Sequence, residues 1–413
     1  MTKNVRAGDS FGLLPGPILE MILVQLDLPS LHNLSRSSYL VFSFLHEEGT
    51  ARRIIDTIIH LTLPTSVQLL ARKFAFLRWA FREWDTRAVG NIAVFIAEFI
   101  KCDEEKYSSL PPEMPLSIMF DVLAAAATIR YLVFHILHKM IDRCKKLEFS
   151  RLENPKKRYI QNPIRVANPD NLVYAPVPKP PRVRYQQGEM GSVSASEEKI
   201  ATRALWEIFL IWELRSGVGN TRWTSEERDL FDSVPFEKIW GHSLFNDEME
   251  PNRTMASELF PSLQTVTQRY RAAKSLAHNA GWHYEGDFPP FSLIPDVTKR
   301  KYSNRGYSSY LTLSKHYTSP CRYVGFDPYR QYGIAIWDQG RLAALGLDYA
   351  KENPMELPQA PRSECDQYVR WESILTAEDL EEIERRRQYY WPGREMVCVE
   401  NQGHVDLRMN SQY

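Results

Sequence analysis

The chain of 413 residues has no excess of either charge, because lysine and arginine together number 51 and aspartate and glutamate also number 51. Proteins that bind nucleic acid or an anionic membrane through their overall field are usually rich in basic residues, so neither partner is expected here. Hydrophobic residues make up 44% of the chain and charged residues 25%, as in ordinary globular proteins. The length is enough for two or three domains with hydrophobic cores.

Cysteine is scarce, and the five cysteines are scattered along the chain without paired spacing. Their odd number and wide separation argue against a disulfide framework and favour reduced thiols, which predicts a cytoplasmic or nuclear protein. They are Cys102, Cys144, Cys321, Cys365 and Cys398. The opening residues, MTKNVRAGDSFGLL, also lack the apolar stretch of a secretion signal, which agrees with that expectation.

A long uninterrupted apolar run is missing as well. The best candidate, residues 116–140, contains Asp121, Arg130 and His135, whereas a membrane-spanning helix needs about 18 consecutive apolar residues. We therefore expect a buried helix there and no membrane partner. The sequence also has no internal repeat at the period of a solenoid or a propeller.

No arrangement of residues predicts catalysis. His135, His138 and Cys144 lie close together on one predicted helix, but they lack the Cys-x-x-Cys or His-Glu-x-x-His pattern of a metal site. The glycine-containing segment 215–223 has no lysine, which a phosphate-binding loop requires. We predict no catalytic residue, no bound metal and no cofactor, and we do not expect an enzyme.

Most of the chain from residue 13 to about 148 has the apolar spacing of amphipathic helices. Residues 51–61 place Ile54, Ile55, Ile58 and Ile59 on one side of a helix. Apolar residues also recur at alternating steps of three and four within 64–84, at Val67, Leu70, Phe74, Leu77 and Phe81. Residues 91–101 and 116–146 continue the pattern, which predicts a helical region over 51–150.

Residues 151–195 have a different composition. They contain seven prolines and eight basic against three acidic residues, a net charge of +5. Proline removes a backbone donor and fixes φ, so a continuous helix or a central strand is not expected. We predict a basic linker or an irregular ordered loop.

Residues 196–413 are predicted to form an α+β domain. Ser194 and Glu197 have the spacing of a capping box before a helix, and Thr224 and Glu227 repeat it. Two further segments also favour helices: 255–281, after Pro261, and 376–390.

One segment of this domain, 332–349, predicts strands instead. It favours two short strands around Asp338-Gln339-Gly340, with Gly340 taking the positive φ of a β-hairpin turn. Trp337 is then expected to be a core residue of the hairpin.

The stretch from residue 14 to residue 45 predicts three short helices. Pro15 can occupy the first helical position, where its missing N–H has no cost, and Pro17 falls within the first turn. Asp27 is placed to cap a second helix, and Ser37 or Ser38 a third. The apolar stripe of the first helix consists of Ile18, Leu19, Ile22, Leu23 and Leu26. Three helices in about 35 residues enclose little core, so they need a neighbour, either the later helices of the chain or a partner's helices.

The pattern Leu14-Pro15-x-x-Ile18-Leu19-x-x-Ile22-Leu23-x-x-Leu26-Asp27, followed by Leu31, Leu34 and a Ser-Arg-Ser-Ser-Tyr segment, resembles an F-box. It is most similar to the version found in fungal F-box proteins, over about residues 11–50. One departure is Pro17, where the family usually carries Glu. The segment 332–347 is similar to a late segment of many uncharacterised fungal F-box proteins, and the absence of repeats excludes the leucine-rich, WD and kelch substrate-reading domains.

Together with the periodicity and composition described above, the resemblance predicts a mainly α fold in four parts. These are a three-helix F-box (11–50), a helical extension (51–150), the proline-rich segment (151–195) and an α+β C-terminal domain with a β-hairpin (196–413). An F-box docks on the Skp adaptor of an SCF-type cullin–RING ubiquitin ligase, while the rest of the protein captures a client protein for ubiquitination. By the same resemblance the adaptor contacts, or their immediate support, are Leu14, Pro15, Ile18, Leu19, Ile22, Leu23, Leu26, Leu31 and Leu34.

Two alternatives stay open at this point. The protein can be an F-box scaffold that binds the adaptor but acts outside the ligase. It can also be an enzyme whose site is assembled from residues distant in sequence, which a deep pocket in 196–413 with converging titratable groups would favour.

Overall fold

The computed structural model shows a mainly helical protein with two small antiparallel sheets of two strands each. It describes residues 10–47, 49–83, 107–154, 159–163, 181–220, 225, 250–259, 305–314, 319–348, 364–390 and 394–398. The predicted helices at 91–101 and after Pro261, and the predicted cap at Thr224, lie outside these residues.

The chain forms two compact units, and each is built from two separate stretches of sequence. The first unit contains residues 1–138 and 193–302, and the second contains residues 139–192 and 303–413. This grouping differs from the consecutive domains that the sequence predicts, because the helix that begins at residue 195 belongs with the N-terminal helices.

The first five helices of the first unit follow one another closely along the chain. They are α1 (Gly16–Leu23), α2 (Leu28–Ser37), α3 (Tyr39–Leu45), α4 (Thr50–Thr62) and α5 (Thr65–Glu83). A single 3₁₀ turn, Ser10–Leu13, precedes them.

The predicted caps of α2 and α3 are confirmed. The Asp27 carboxylate accepts the N–H of Ser30 at 2.8 Å, and the Ser38 hydroxyl accepts the N–H of Val41 at 3.1 Å. The prediction for Pro15 is wrong by one position, because α1 begins at Gly16 and Pro15 has an extended backbone just before it. Its carbonyl accepts the N–H groups of Ile18 and Leu19, which a residue at the cap position can do without a side-chain acceptor.

The amphipathic pattern of α4 and α5 is also confirmed. All four isoleucines predicted for the inner side of α4 are buried, and so are Val67, Leu70, Phe74 and Leu77 of α5. Phe81, the fifth predicted position of α5, is half-buried. The Gln68 side chain donates to the carbonyl groups of His60 and Leu63, so it satisfies two acceptors at the end of α4.

Three more helices complete the described part of the first unit: α6 (Leu116–Lys145, of which the residues up to His138 belong here), α7 (Ala195–Asn220) and α8 (Glu250–Leu259). The predicted capping box is confirmed, because Ser194 Oγ accepts the N–H of Glu197 and Glu197 Oε2 accepts the N–H of Ser194. Helix α7 packs on α5, where the rings of Phe74 and Trp206 meet edge to face at 5.8 Å.

Helix α6 is long and apolar enough to cross a membrane by length and composition alone, a test that core helices also pass. Its Asp121 pairs with Arg82 at 2.8 Å, and its Arg130 pairs with Asp27. Thirteen side chains, from Ile118 to Cys144, are buried. Two of the charges that interrupt its apolar sequence thus have partners within the first unit.

The second unit contains both sheets. Strand β1 (Phe149–Leu152) pairs with β3 (Arg182–Tyr185), and β2 (Tyr159–Pro163) pairs with β4 (Arg394–Cys398), both antiparallel. The proline-rich segment 151–195 is therefore partly ordered as short strands at the edges of two-stranded sheets, where proline is tolerated.

Between β3 and β4 in the sequence, the described residues of the second unit form five α-helices: α9 (Arg305–Ser314), α10 (Asp327–Arg330), α11 (Gln339–Ala344), α12 (Glu364–Glu372) and α13 (Ala377–Tyr390). Its core is aromatic, with Tyr329 in contact with Tyr310 and Trp371. The helix predicted over 376–390 is confirmed as α13.

The β-hairpin predicted over 332–349 is wrong. Residues 339–344 form α11, and the Asp338 carboxylate accepts the N–H of Arg341 at 2.9 Å as the cap of that helix. Gly340 lies inside α11, whereas the positive φ values are at Gly333 (71°) and Gly346 (72°) on either side. Trp337 is a core residue, as predicted, but in a turn that precedes a helix.

Candidate docking surface

Exposed apolar side chains are concentrated at one end of the sequence. Among the residues that the structure describes, seven large hydrophobic side chains are exposed, and all seven lie within the first 61 residues. They are Leu13, Ile18, Met21, Ile22, Tyr39, Phe42 and Leu61. Six of the seven therefore belong to the segment that resembles an F-box.

Three of these side chains form one side of α1. Ile18, Met21 and Ile22 occur at positions i, i+3 and i+4, so they share a helix face. Their exposed fractions are 43%, 64% and 39%. We call these three residues the α1 surface, and Leu13, exposed as well, lies in the turn just before it.

The other side of α1 is packed against the protein itself. Leu19 and Leu23 are buried, and so are Leu28 and Leu31 of α2. Each buried leucine contributes about 1.5–3 kcal/mol relative to an exposed one. This packing holds α1 in place while the α1 surface stays open to solvent.

An ion pair joins α1 to α4 at the edge of the surface. Arg53 donates through Nε and Nη2 to the two carboxylate oxygens of Glu20, at 3.1 Å and 2.9 Å. Both side chains are partly or fully exposed, so solvent and salt screen the pair and its contribution to stability is small. Its two-point geometry still favours one orientation of Glu20.

A second, less exposed ion pair joins the start of α2 to α6. One oxygen of Asp27 caps α2, and the other accepts a hydrogen bond from Arg130. Glu198 of α7 is the third charged group here: burial raises the pKa of its carboxyl group, and the charge of Asp27 raises it further while Arg130 lowers it. Two carboxylates thus share the field of one guanidinium group.

The nine residues predicted to contact or support an adaptor divide into three groups. Leu19, Leu23 and Leu31 are buried. Leu14, Leu26 and Leu34 are half-buried, and Pro15, Ile18 and Ile22 are exposed. The first group can support a docked partner but cannot touch it, whereas the third group is free to do so.

The predicted adaptor contacts omit four exposed apolar residues of the F-box-like segment: Leu13, Met21, Tyr39 and Phe42. Met21 lies three residues after Ile18 and one before Ile22, so helical spacing alone places it on their face. The F-box resemblance depends on Ile and Leu positions, and Met21 falls between them. No comparable pattern singles out Leu13.

The residues considered for a metal site have other partners. His138 Nδ1 is 2.8 Å from the carbonyl of Phe134, the ring of His135 packs on Tyr131 at 4.2 Å, and the buried Cys144 thiol donates to the carbonyl of Tyr332. Within the described ranges, no group of three or more His, Cys, Asp or Glu side chains is placed to hold a metal ion.

The second unit has an open groove of about 710 Å³. Residues 145, 147–149 and 184–190 line it. Arg184 and Glu148 form an ion pair of 2.8 Å there, and the lining also carries Lys145 and Glu189. The charges balance, so the groove favours neither an anionic nor a cationic ligand.

Comparison of the chain with protein-family models, with curated proteins and with solved structures finds no match. The F-box resemblance therefore depends on the residues of this chain between 11 and 50 and on how the structure places them.

Proposed function

We propose that this protein is the substrate-recognition subunit of an SCF-type cullin–RING ubiquitin ligase and docks on a Skp-family adaptor through the α1 surface. One observation carries the proposal: the exposed apolar side chains of the described residues are concentrated in the F-box-like segment. An exposed cluster of this kind, with a packed and capped scaffold behind it, is typical of a surface that receives a partner's helices.

Burial of the α1 surface supplies only part of the free energy of docking. Its three side chains are each about half exposed, so covering them completely gains about 3 kcal/mol in total. Association itself costs more than this. The half-buried Leu14, Leu26 and Leu34 and the exposed Leu13 and Tyr39 extend the apolar area that a partner would cover.

The proposal assigns different roles to residues that the sequence alone treats alike. Ile18 and Ile22, with Met21, contact the adaptor, while Leu19, Leu23 and Leu31 hold the helices that present them. Client capture belongs to the second unit in this proposal, because the described helices between residues 195 and 259 pack with the N-terminal helices instead.

Binding of the full-length protein to a purified Skp-family adaptor tests the proposal. Met21→Glu places a charge at the most exposed position of the α1 surface, and we expect binding to weaken about 30-fold or more, since docking would bury that charge. Leu61→Glu is the matched control, because Leu61 is 57% exposed but lies at the end of α4. Its binding should equal wild type, and far-UV circular dichroism should show both variants folded. Wild-type affinity of Met21→Glu, or equal losses in both variants, contradicts the proposal.

A second experiment separates the ligase from a scaffold that acts outside it. Affinity purification after proteasome inhibition should recover cullin and an accumulating ubiquitinated client together with the adaptor. Recovery of the adaptor without cullin and without ubiquitinated protein would favour the scaffold.

A further inference from the structure

One side chain in the connection between α1 and α2, that of Asp27, has two partners. Asp27 follows α1 by four residues and immediately precedes α2. Its Oδ1 accepts the N–H of Ser30 and thereby caps α2, while its Oδ2 accepts a hydrogen bond from Arg130. Capping needs only one of the two oxygens, so the second is available to hold the connection to α6.

The Asp27–Arg130 pair is largely removed from solvent. The side chain of Asp27 is 12% exposed and that of Arg130 is 10% exposed. A charge pair in such surroundings is screened little, and removing one partner leaves the other charge uncompensated. Glu198 increases the cost of losing Arg130, because two partly buried carboxylates would then repel each other without a compensating cation.

The ion pair between Glu20 of α1 and Arg53 of α4 cannot replace the Asp27–Arg130 pair. Arg53 is half exposed, so its attraction to Glu20 is weakened by water and salt. The shielded contacts on either side of the connection between α1 and α2 are thus the buried Leu19 and Leu23 and the Asp27–Arg130 pair.

We infer that Arg130, 103 residues after Asp27 in sequence, is a positioning residue for the α1 surface and acts through Asp27. This inference rests on the proposed function for its binding readout. In this proposal Arg130 does not contact the adaptor itself, and its effect on docking comes from the orientation of α1 and α2.

Three variants of the full-length protein test the inference. Arg130→Met removes the cation, Asp27→Asn removes the charge of the carboxylate but keeps an oxygen that can cap α2, and the third variant combines them. We expect each single variant to bind the adaptor about tenfold more weakly, and the double variant to bind no more weakly than either single one, because both remove the same contact. Losses that multiply in the double variant would overturn the inference.

Two further variants separate positioning from a loss of stability. Arg72→Met breaks the pair between Arg72 and Asp56, at 2.9 Å, which joins α4 to α5 and is similarly shielded from solvent. It should leave adaptor affinity unchanged. Arg130→Lys keeps the cation and should restore most of the affinity, although lysine lacks the planar guanidinium group. Equal losses for Arg72→Met and Arg130→Met would mean that Arg130 contributes only to general stability.

Hydrogen–deuterium exchange supplies a readout that needs no adaptor. Peptides that cover α1 should exchange about tenfold faster in Arg130→Met and Asp27→Asn than in wild type or Arg72→Met. Unchanged exchange in α1 would overturn the inference even if the adaptor binds. Faster exchange in a protein that does not bind the adaptor would instead keep the inference about Arg130 and reject the proposed function.

Discussion

Two segments of similar apolar character differ in how far their large apolar side chains are exposed to solvent. Residues 13–45 of the first unit contain six exposed large apolar side chains. Residues 332–348 of the second unit contain none, because Ile334, Ile336, Trp337, Leu342 and Leu347 are all at most 1% exposed. Composition alone does not distinguish the two segments.

The difference comes from how each segment meets the rest of its unit. In the second unit Arg341 donates to the carbonyls of Met190 and Ser192, both at 2.7 Å, and its guanidinium group lies 4.8 Å from the ring of Trp337. The chain thus packs both sides of this segment. In the first unit only one side of α1 is packed, and its outer side is available to another molecule. An open apolar side beside a fully packed inner side is what distinguishes a binding surface from a core.

The largest effect should come from the segment that is fully buried. Trp337→Ala removes a side chain that is 1% exposed and in contact with Arg341, so we expect a loss of about 3–5 kcal/mol in the free energy of unfolding. Urea denaturation monitored by circular dichroism measures it. A loss below 1 kcal/mol would mean that this segment is not packed as described, and the comparison would fail.

The two sides of α1 should differ almost as strongly. Leu23→Ala removes a fully buried side chain, and we expect a loss of about 2–5 kcal/mol. Ile22→Ala, the neighbouring residue on the α1 surface, should cost less than about 1 kcal/mol but weaken adaptor binding. Similar losses of stability in both variants would mean that α1 has no open side.

Sequence periodicity predicted the positions that face a core but not which half of a wide stripe remains open. Leu19 and Ile22 belong to the same predicted stripe, and only packing within the folded unit decides that the first is buried and the second exposed. Local signals between neighbours were read correctly, as at Asp27, Ser38 and Ser194, because a cap needs only three or four residues.

Contacts between residues far apart in the sequence have no local sequence pattern from which they could be predicted. The partner of Asp27 is Arg130, and the partners of α5 are on α7, more than one hundred residues away. The hairpin prediction failed for a related reason. Asp338-Gln339-Gly340 fits a turn between strands and the start of a helix equally well, and packing selects the helix.

Glycine substitutions test that corrected part of the fold. A Cβ at Gly346 would lie 2.3 Å from Arg370 Nη1 and 2.6 Å from the Tyr185 hydroxyl, and φ is +72°. We expect Gly346→Ala to destabilise the protein by about 1–3 kcal/mol. Gly340→Ala adds a Cβ in ordinary contact inside α11 and should change stability by less than about 1 kcal/mol, in the stabilising direction. If Gly340 is the sensitive position instead, the hairpin is the better description.

The smallest effect concerns Glu198 of α7, whose carboxyl group lies in the electrostatic field of Asp27 and Arg130. Burial raises the pKa of Glu198 in the folded protein, so between its ordinary pKa and the raised value the folded state binds more protons than the unfolded state. Stability contributed by this group is therefore present at low pH and decreases as pH rises through that window. We expect Glu198→Gln to be more stable than wild type at pH 7 and equal to it near pH 4, as measured by denaturation at both values. If Glu198→Gln is less stable than wild type at pH 7, the attraction between the Glu198 carboxylate and Arg130 outweighs the cost of burying that carboxylate. Arg130 would then stabilise both α2, through Asp27, and α7, through Glu198.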